Sequence, residues 1–396
     1  MKSKSRKFLS VLLTLALALA LAPITASAAV GPLPAFTVNT ASPTLVGFGG
    51  KRWAVIGYNG TGVASTSGTL TLLLAEESYS RAQFNPVRDQ PDSNHYSVST
   101  LEPAMEAAYG GLPAKEQALV AARDLAGGSG LYSDPNTTDY IGDNIAGPAV
   151  TGAKFWPLSA DEATSVNSTV REFGYYWWLR SPGRIPYGAA HVYGGGFVNC
   201  YGLRVHNELC LRPAFRLNLS SVLFAFDASG AGAKSAATVG GGLVAAQAVG
   251  TALKFTMQDA SLALGSVTTT GRTGNTVTFD YSSATAGKTL SAVVLSSGGA
   301  VKYYGKLLAS TTASGNASVT LPSDFAAGDT VQIFVEEANG DSQTDFASAY
   351  KQLTVPAGGG DTTKYVGLFG KYTSYPSNFW NWFMFIALFG FIWMWF

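Results

Sequence analysis

The sequence is poor in the residue types that mark several large classes of protein. It has two cysteines in 396 residues, too few for a disulfide scaffold. Its formal net charge is +1 and charged residues make up only 13% of the chain, so it lacks the strongly basic composition typical of nucleic-acid binding. It contains no phosphate-binding loop and no G-x-S-x-G nucleophile motif. By contrast, 45 glycines and 12% aromatic residues favour strands and irregular loops over helices.

The two ends of the chain predict export and attachment to a membrane. Basic residues at positions 2, 4, 6 and 7 precede an apolar run at 8–22 and the small residues Ala26-Ser27-Ala28, which is the layout of a cleaved signal peptide at 1–28. Residues 379–396 carry no charge and are rich in Trp and Phe, which predicts a C-terminal membrane segment. No Lys or Arg follows that segment, so a cleaved sorting tail is an open alternative. We therefore expect an exported protein held at the cell surface.

The region between the ends predicts two domains of different class. Residues 35–227 combine alternating strands with helices that begin at capping boxes, such as Ser159 with Glu162, which indicates an α+β domain. Residues 228–242 are mostly Ala, Gly and Ser with little to bury, which predicts a linker at 228–244. Residues 245–356 show β-rich runs between glycine turns, which favours an all-β immunoglobulin-like sandwich acting as a stalk. A glycine-rich tether at 357–378 would then lead to the membrane segment.

Two separated motifs resemble a known family. The run W-W-L-R-S-P-G at residues 177–183 and the closing L-R-P-A-F at 211–215 are similar to those of an uncharacterised domain family of secreted bacterial proteins. That family resembles a branch of the C-type-lectin-like superfold, akin to the formylglycine-generating enzyme fold. The resemblance covers nearly the whole first domain and implies a C-type-lectin-like fold. It also implies that strands and loops near the C-terminal end of the domain form a ligand-facing surface.

The residues inside these motifs also allow a direct physical interpretation. Trp177 and Trp178 point to opposite faces of an extended strand, so at most one of them should be fully buried. Arg180 and Arg212 follow apolar residues in predicted buried strands. A guanidinium group in that environment needs a carboxylate or several carbonyl groups around it. We expect all four residues to be structural and not to contact a ligand.

The window at residues 184–210 is the best candidate for a binding surface. Framework residues such as glycine, alanine and valine alternate there with larger polar and aromatic residues, and a period of two would place the second set on one face. Tyr, Arg and Asn on one face are typical of recognition surfaces. The predicted ligand-binding residues are Arg184, Ile185, Tyr187, His191, Tyr193, Phe197, Asn199, Tyr201, Arg204, His206 and Asn207.

The same window suggests a hypothesis about how the surface varies. Some C-type-lectin-like proteins are diversified by retroelements that randomise adenine-containing codons, which yields many residue types but not Lys, Gln, Met or Trp. Those four types are absent from residues 184–210, although Glu208 does not fit and would have to be fixed. On this view Cys200 and Cys210 are varied positions. A disulfide between them, a zinc site with His191 and His206, and a copper-dependent oxidase centre are the alternatives.

A cofactor is not required by any motif. The oxygen-rich loop with Asp134, Asn136, Asp139, Asp143 and Asn144 could hold Ca²⁺, but it lacks the spacing of a known calcium loop, and a plain surface loop is the alternative. The sequence as a whole favours a non-catalytic binding protein with an extracellular protein or glycan as partner. An enzyme of the formylglycine-generating or cell-wall-active type and a structural surface-layer protein are the other two hypotheses.

Overall fold

A computed structural model describes residues 33–76, 80–87, 92–126, 149–184, 187–230, 232–247 and 252–357. It also gives the backbone of four short strands at 132–133, 140–141, 365–367 and 370–372. The predicted signal peptide, calcium loop and membrane segment lie outside these residues, as do Ile185 and most of the tether. Over the part of the chain that is described, no helix has the length and apolar character needed to cross a bilayer.

The described chain consists mainly of β-sheet, which confirms the β-rich character that the composition predicts. The strands, numbered along the chain, fall into three larger sheets and three strand pairs. The long sheet contains β1 (Leu45–Phe48), β2 (Lys51–Tyr58), β3 (Thr61–Gly62), β4 (Thr69–Leu74), β6 (Val120–Ala121), β15 (Ala214–Asn218), β16 (Val222–Asp227), β17 (Val244–Ala245), β18 (Ala252–Gln258), β21 (Thr289–Leu295), β22 (Val301–Leu308), β24 (Thr330–Glu337), β25 (Asp345–Ala347) and β26 (Lys351–Leu353).

The other sheets are smaller. The five-stranded sheet contains β5 (Arg81–Gln83), β11 (Trp177–Pro182), β12 (Gly188–Val192), β13 (Val198–Arg204) and β14 (Glu208–Cys210). The three-stranded sheet contains β19 (Ser266–Thr273), β20 (Thr276–Ser282) and β23 (Ser314–Thr320). The pairs are β7 (Arg123–Leu125) with β10 (Val150–Ala153), β8 (Tyr132–Ser133) with β9 (Tyr140–Ile141), and β27 (Tyr365–Gly367) with β28 (Gly370–Tyr372).

Within the described ranges, four short α-helices accompany the sheets: α1 (Leu101–Gly110), α2 (Ala114–Gln117), α3 (Ala160–Ser165) and α4 (Ser168–Arg171). Helix α3 begins at the predicted capping box. Its Ser159 Oγ accepts from the Glu162 backbone N–H at 3.1 Å, and the Glu162 carboxylate accepts from the Ser159 N–H at 3.0 Å. These two bonds satisfy donors that the first helical turn leaves open.

The long sheet runs through both predicted domains. Its central path is β17-β22-β21-β24-β25-β18-β1-β2-β4-β15-β6. Strand β1 pairs in parallel with β18, so Leu45 lies beside Ala252. Strand β16, which the sequence pattern assigns to the first domain, pairs with β18 of the second. Every residue of β16 is buried, so the strand requires neighbours on both faces, and the sheet does not break at the predicted boundary of 227.

The second region is a β-sandwich in which the outer face of one sheet is also buried. The three-stranded sheet packs on β21 and β24, with Phe279, Val294 and Ile333 in the core between them. The opposite face of β21 and β24 carries Val293 and Phe334, which pack under β16 and the following segment. These two strands are therefore buried on both sides.

The segment at 228–244, which we call the strap, is buried at several positions up to 237 and exposed at 238–242, so it is only in part the linker that its composition predicts. Ala228, Ala233, Lys234 and Ala237 in it are buried, and Lys234–Ala236 forms a 3-10 turn. A Cβ on Gly232 would lie 2.1 Å from the Gln247 side chain, so a small residue is needed at that close approach. Composition alone does not show which of these small residues pack closely and which are exposed.

Candidate binding surface

The candidate surface lies on the five-stranded sheet, whose order is β13-β12-β11-β14-β5. In its register Trp178 on β11 lies opposite His191 on β12, and His191 lies opposite Asn199 on β13. Directly opposed residues of antiparallel strands project from the same side of a sheet. The register thus forms one row of three side chains across the sheet.

A second row, made of Tyr176, Tyr193 and Phe197, lies at the ends of the same strands. The rings of Tyr176 and Tyr193 are 4.7 Å apart between centroids, and those of Tyr193 and Phe197 are 6.0 Å apart. The Tyr193 N–H donates to the Phe197 carbonyl at 2.9 Å across the turn between β12 and β13. Cross-strand aromatic contacts of this kind stabilise a sheet and fix the ring positions.

The turn that joins β12 to β13 depends on glycine. Gly196 has a φ of +81°, a conformation that glycine adopts without strain, and a Cβ there would lie 3.0 Å from the Ser168 carbonyl oxygen. A Cβ on Gly194 would lie 2.8 Å from the Gly174 carbonyl oxygen. The turn is therefore held close against α4, which sets the position of the second row.

Strand β13 extends the surface along its length. Val198 and Cys200 are buried, whereas Asn199 is half-buried and Tyr201 is 54% exposed, so the alternation is that of a strand with one open side. The Asn199 side chain donates to the Tyr193 hydroxyl at 3.0 Å and accepts from the Gly202 N–H at 3.0 Å. We call Tyr176, Tyr193, Phe197, Asn199 and Tyr201 the aromatic face.

Exposed aromatic side chains are concentrated on this part of the molecule. Five aromatic residues are classed as exposed over the described ranges, and all five fall between positions 175 and 201. They are Tyr175, Tyr176, Tyr187, Phe197 and Tyr201. Exposed aromatic residues that cluster in one region mark interaction surfaces more often than scattered ones do.

Two arginines lie over tyrosine rings at the margins of the aromatic face. The guanidinium carbon of Arg184 is 5.8 Å from the centroid of the Tyr201 ring, and that of Arg81 is 5.8 Å from the Tyr175 ring. Both distances are within the range of a cation–π contact. These contacts hold cationic groups beside exposed rings, an arrangement that offers charge and apolar area together.

His191 corrects the prediction that the whole candidate set shares one exposed face. Its side chain is buried, with 1% exposure, between Trp178 and the rings of Tyr176 and Tyr193 at 5.9 and 4.9 Å. Burial lowers the pKa of His191 to about 4, so the ring is neutral at neutral pH. His191 therefore supports the aromatic face from beneath.

The other candidates divide by exposure. Arg184, Tyr187, Phe197, Tyr201 and Arg204 are exposed, whereas Tyr193, Asn199, His206 and Asn207 are half-buried. The pairing of β12 with β13 shifts register between Ala189 and His191. A strict period of two does not extend through such an irregularity, and this is why the candidates do not form a single row.

Trp177 and Trp178 are both fully buried, so the expectation that at most one would be is wrong. They do point in different directions: Trp177 stacks on Arg212, whereas Trp178 packs on Phe84 and its indole N–H donates to the Ala82 carbonyl at 2.9 Å. Both sides of β11 are covered at this point. The prediction assumed a sheet with one side open to water.

The two arginines predicted to be structural have the partners that a buried guanidinium needs. Arg180 donates to the Glu162 carboxylate at 2.5 Å and to the Pro157 carbonyl at 3.0 Å. Arg123 donates to the other oxygen of Glu162, also at 2.5 Å. Burial raises the pKa of Glu162, but the two guanidinium groups outweigh burial and lower it to about 2.

Arg212 is buried with 1% exposure and meets no carboxylate in its hydrogen bonds. It donates to the carbonyls of Leu74, Arg171 and Val170 at 2.9, 3.1 and 2.6 Å. Its guanidinium group also lies between the rings of Phe173 and Trp177, at 4.3 and 4.8 Å from their centroids. Burial lowers the pKa of Arg212 to about 9, which leaves it cationic at neutral pH.

Cys200 and Cys210 are both buried, and neither is in a disulfide. They lie on β13 and β14, and strands β12 and β11 separate those two strands, so the condition for a disulfide across adjacent strands is not met. No group of three His, Cys, Asp or Glu side chains within the described ranges is arranged to hold a metal ion. The sheet thus keeps the proposed zinc ligands apart.

Sequence reasoning missed Tyr175, Tyr176 and Arg81. The first two precede the tryptophan pair and were outside the window at 184–210, while Arg81 comes from a distant strand. Only the pairing of β11 with β12 brings Tyr176 beside Tyr193. An antiparallel pairing between the tryptophan strand and the strand of His191 would have been the signal, and its register cannot be read from one strand alone.

No family model matches the chain, and comparisons with curated proteins and with solved structures gave no match either.

Proposed function

We propose that this chain is a binding protein that recognises an extracellular protein or glycan through its aromatic face. The observation that carries the proposal is that, among the residues the structure describes, the exposed aromatic side chains all lie at positions 175–201, within and beside one sheet. Tyrosine and phenylalanine supply large contact area at low entropic cost, because few torsions must be fixed on binding. Arginine and asparagine beside them supply directional hydrogen bonds.

The support beneath the surface favours the same conclusion. Tyr193 is held by Asn199 and by the glycine turn, and His191 fills the space below it. A surface whose rings are already fixed loses less entropy when a partner binds. This is the arrangement expected of a rigid recognition site, whereas a sheet face with no binding role needs no such exposed aromatic row.

The finer fold assignment and the location belong to the same proposal. A C-type-lectin-like head, an immunoglobulin-like sandwich, a signal peptide at 1–28 and a membrane segment at 379–396 would together give a surface receptor or adhesin. The pairing of β1 and β16 with β18 joins head and sandwich in one sheet, so this receptor would present its surface on a rigid base.

Diversification by a retroelement would act on a smaller set of positions than the full window. His191, Cys200 and Cys210 are buried, and random replacement there would disturb packing. We therefore propose Arg184, Tyr187, Phe197, Tyr201 and Arg204 as the positions free to vary, because all are exposed. The genomic neighbourhood tests the idea. It supports diversification if a reverse transcriptase gene lies nearby together with a near-copy of the codons for 184–210 that differs mainly at adenines in these positions. A neighbourhood with no such copy contradicts it.

A binding screen tests the function itself. Wild-type chain and the double variant Phe197→Ala/Tyr201→Ala are each screened against arrayed glycans and extracellular proteins. Val239→Ala is the matched control, because Val239 is an exposed apolar residue outside the five-stranded sheet. We expect a selective ligand that the wild type and the control bind and the double variant does not. Absence of any selective ligand would favour a structural surface-layer role, and retention of the ligand by the double variant would place its site elsewhere.

A further inference from the structure

A lysine and two carboxylates meet in the interior of the sandwich. Lys234 Nζ lies 2.6 Å from Glu336 Oε2 and 2.7 Å from Asp345 Oδ2. It also donates to Thr256 Oγ1 at 2.7 Å. The side chain of Lys234 is 2% exposed and that of Glu336 is fully buried. Lys234, Glu336 and Asp345 come from the strap at 228–244 and from strands β24 and β25, and Thr256 comes from β18.

Aromatic rings enclose the cluster. The Lys234 ammonium lies 4.9 Å from the Phe224 ring centroid and 4.7 Å from that of Tyr304. Burial opposes the charge on Lys234, but Asp345 and Glu336 outweigh burial and raise its pKa, so the resting group is an ammonium. Ions without access to water lose hydration energy, and conversion into a neutral bond would remove that cost.

The two carboxylates have different surroundings. Asp345 Oδ1 lies 2.8 Å from Lys254 Nζ and accepts from the Asn339 backbone N–H at 2.6 Å. A cation and an N–H donor directed at one oxygen would stabilise negative charge that develops there, as an oxyanion hole does. Glu336 Oε1 instead accepts from the hydroxyls of Ser291 and Tyr304. That arrangement leaves Glu336 Oε2 to exchange a proton with Lys234.

We propose that Lys234 and Asp345 condense into an intramolecular amide bond, with Glu336 carrying the proton. The Lys234 ammonium first gives one proton to Glu336, which leaves a neutral amine as nucleophile. Its nitrogen lone pair forms a bond to the Asp345 side-chain carbon, and Oδ1 takes the negative charge opposite Lys254 and Asn339.

The step balances without any other reactant. Asp345 Oδ2 leaves as water, taking one proton that Glu336 returns and a second proton from the nitrogen. An ammonium and a carboxylate thus become an amide and one water molecule, and Glu336 is again a carboxylate. Glu336 and Lys254 then remain as opposite charges beside a neutral amide, so the site keeps its charge balance.

The bond would fasten the strap to the sandwich. Lys234 begins the turn that follows β16, and Asp345 is the first residue of β25 next to β18. A covalent link between distant positions restricts the unfolded chain most when the enclosed loop is long. A surface protein exposed to proteases and mechanical load would gain resistance to unfolding from it.

Mass spectrometry of the purified full chain under denaturing conditions tests the proposal. We expect a mass lower by one water than that of the sequence beginning at the observed N-terminus. After trypsin digestion, a branched peptide should join the segments that contain Lys234 and Asp345, with no cleavage after Lys234. Because the wild-type chain carries this readout, the test does not depend on any variant folding.

Three variants assign the roles. Asp345→Ala and Glu336→Gln should both show the full sequence mass, because the first lacks the electrophile and the second lacks the proton carrier. Lys302→Met is the matched control, since Lys302 pairs with Asp329 at 2.8 Å on the partly exposed side of the same sandwich and should leave the mass deficit unchanged. A wild-type chain of full sequence mass, or a deficit that maps to other residues, overturns the proposal. A deficit that persists in Glu336→Gln overturns the role given to Glu336.

Discussion

The five-stranded sheet and the sandwich differ in where they place their aromatic side chains. The five-stranded sheet leaves Tyr176, Phe197 and Tyr201 in contact with water. The sandwich instead encloses Phe224 and Tyr304 around Lys234 and its carboxylates, where water does not reach. The five-stranded sheet exposes apolar rings to water, although burial would stabilise the chain. The sandwich buries charged groups that water would solvate better.

Both arrangements reduce the stability that the same chain could have. A large apolar side chain gains about 1.5–3 kcal/mol on full burial, and a ring that stays partly exposed forgoes a share of this energy. An ion taken from water costs several kcal/mol unless its partners compensate. Features that oppose stability in this way are where a role other than folding should be sought, and the two sheets suggest two such roles: recognition at the surface and bond formation in the interior.

The largest expected effect comes from removing Lys234 from the buried cluster. Lys234→Met removes the lysine that faces both carboxylates and, with it, the proposed amide to Asp345. Glu336 and Asp345 then stay buried as carboxylates with Lys254 as their remaining cation, so the free energy of unfolding should fall by about 4 kcal/mol or more. Urea unfolding measures the change. Lys302→Met, which removes a cation from a partly exposed pair, should cost less than about 1 kcal/mol. Equal losses in the two variants would mean that the interior cluster contributes no more to the free energy of unfolding than a partly exposed ion pair does.

The first region has a smaller ionic centre, which sharpens the comparison. Glu162→Gln removes the charge that Arg123 and Arg180 share, and we expect a loss of about 3 kcal/mol in the free energy of unfolding. Asp161→Asn, at the exposed neighbouring position of the same helix turn, should change it by less than about 0.5 kcal/mol. Thermal unfolding of both variants decides whether Glu162 holds α3 to the sheet or is replaceable.

His191 should make the aromatic face sensitive to acid. Its pKa is lowered from 6.5 to about 4 in the folded chain by burial, so between these values the unfolded chain binds a proton that the folded chain does not. The free energy of unfolding should therefore fall as the pH is lowered through this window, by up to about 3 kcal/mol from this group. His191→Phe should flatten that part of the pH profile in urea unfolding. An unchanged profile would show that His191 titrates normally.

At the aromatic face itself we expect only a small effect on folding. Tyr201→Ala removes a side chain that is 54% exposed, so the free energy of unfolding should change by less than about 1 kcal/mol. Tyr304→Phe removes the hydroxyl that donates to Glu336 in the enclosed cluster and should cost more, about 1–3 kcal/mol. If the exposed tyrosine proves the costlier of the two, the contrast between the two sheets is wrong.

Local features of the fold could be predicted from the sequence, because their cause lies within a few residues. The capping box of Ser159 with Glu162 forms as the spacing predicts, and β13 alternates between buried and open sides as its residues do. The β-rich character also followed from composition. These signals need no knowledge of which strands are neighbours.

Features that depend on distant pairing could not be predicted. Burial of both Trp177 and Trp178 requires cover on each side of β11, and that cover comes from Phe84 and Arg212. The interior cluster joins Lys234, Lys254 and Asp345, whose separation along the chain hides their proximity. The burial of Ala233, Lys234 and Ala237 in the strap could not be predicted for a related reason, because small residues occur both in flexible segments and in closely packed ones.

The decisive measurement for the recognition surface is an affinity comparison with a ligand found in the screen. That ligand is titrated calorimetrically into the wild type, Tyr201→Ala and Val239→Ala, each first shown to unfold with wild-type stability. If the aromatic face is the binding site, Tyr201→Ala should bind the ligand at least about 10-fold more weakly than the wild type, and Val239→Ala should bind it with unchanged affinity. Equal affinity of all three proteins would contradict it.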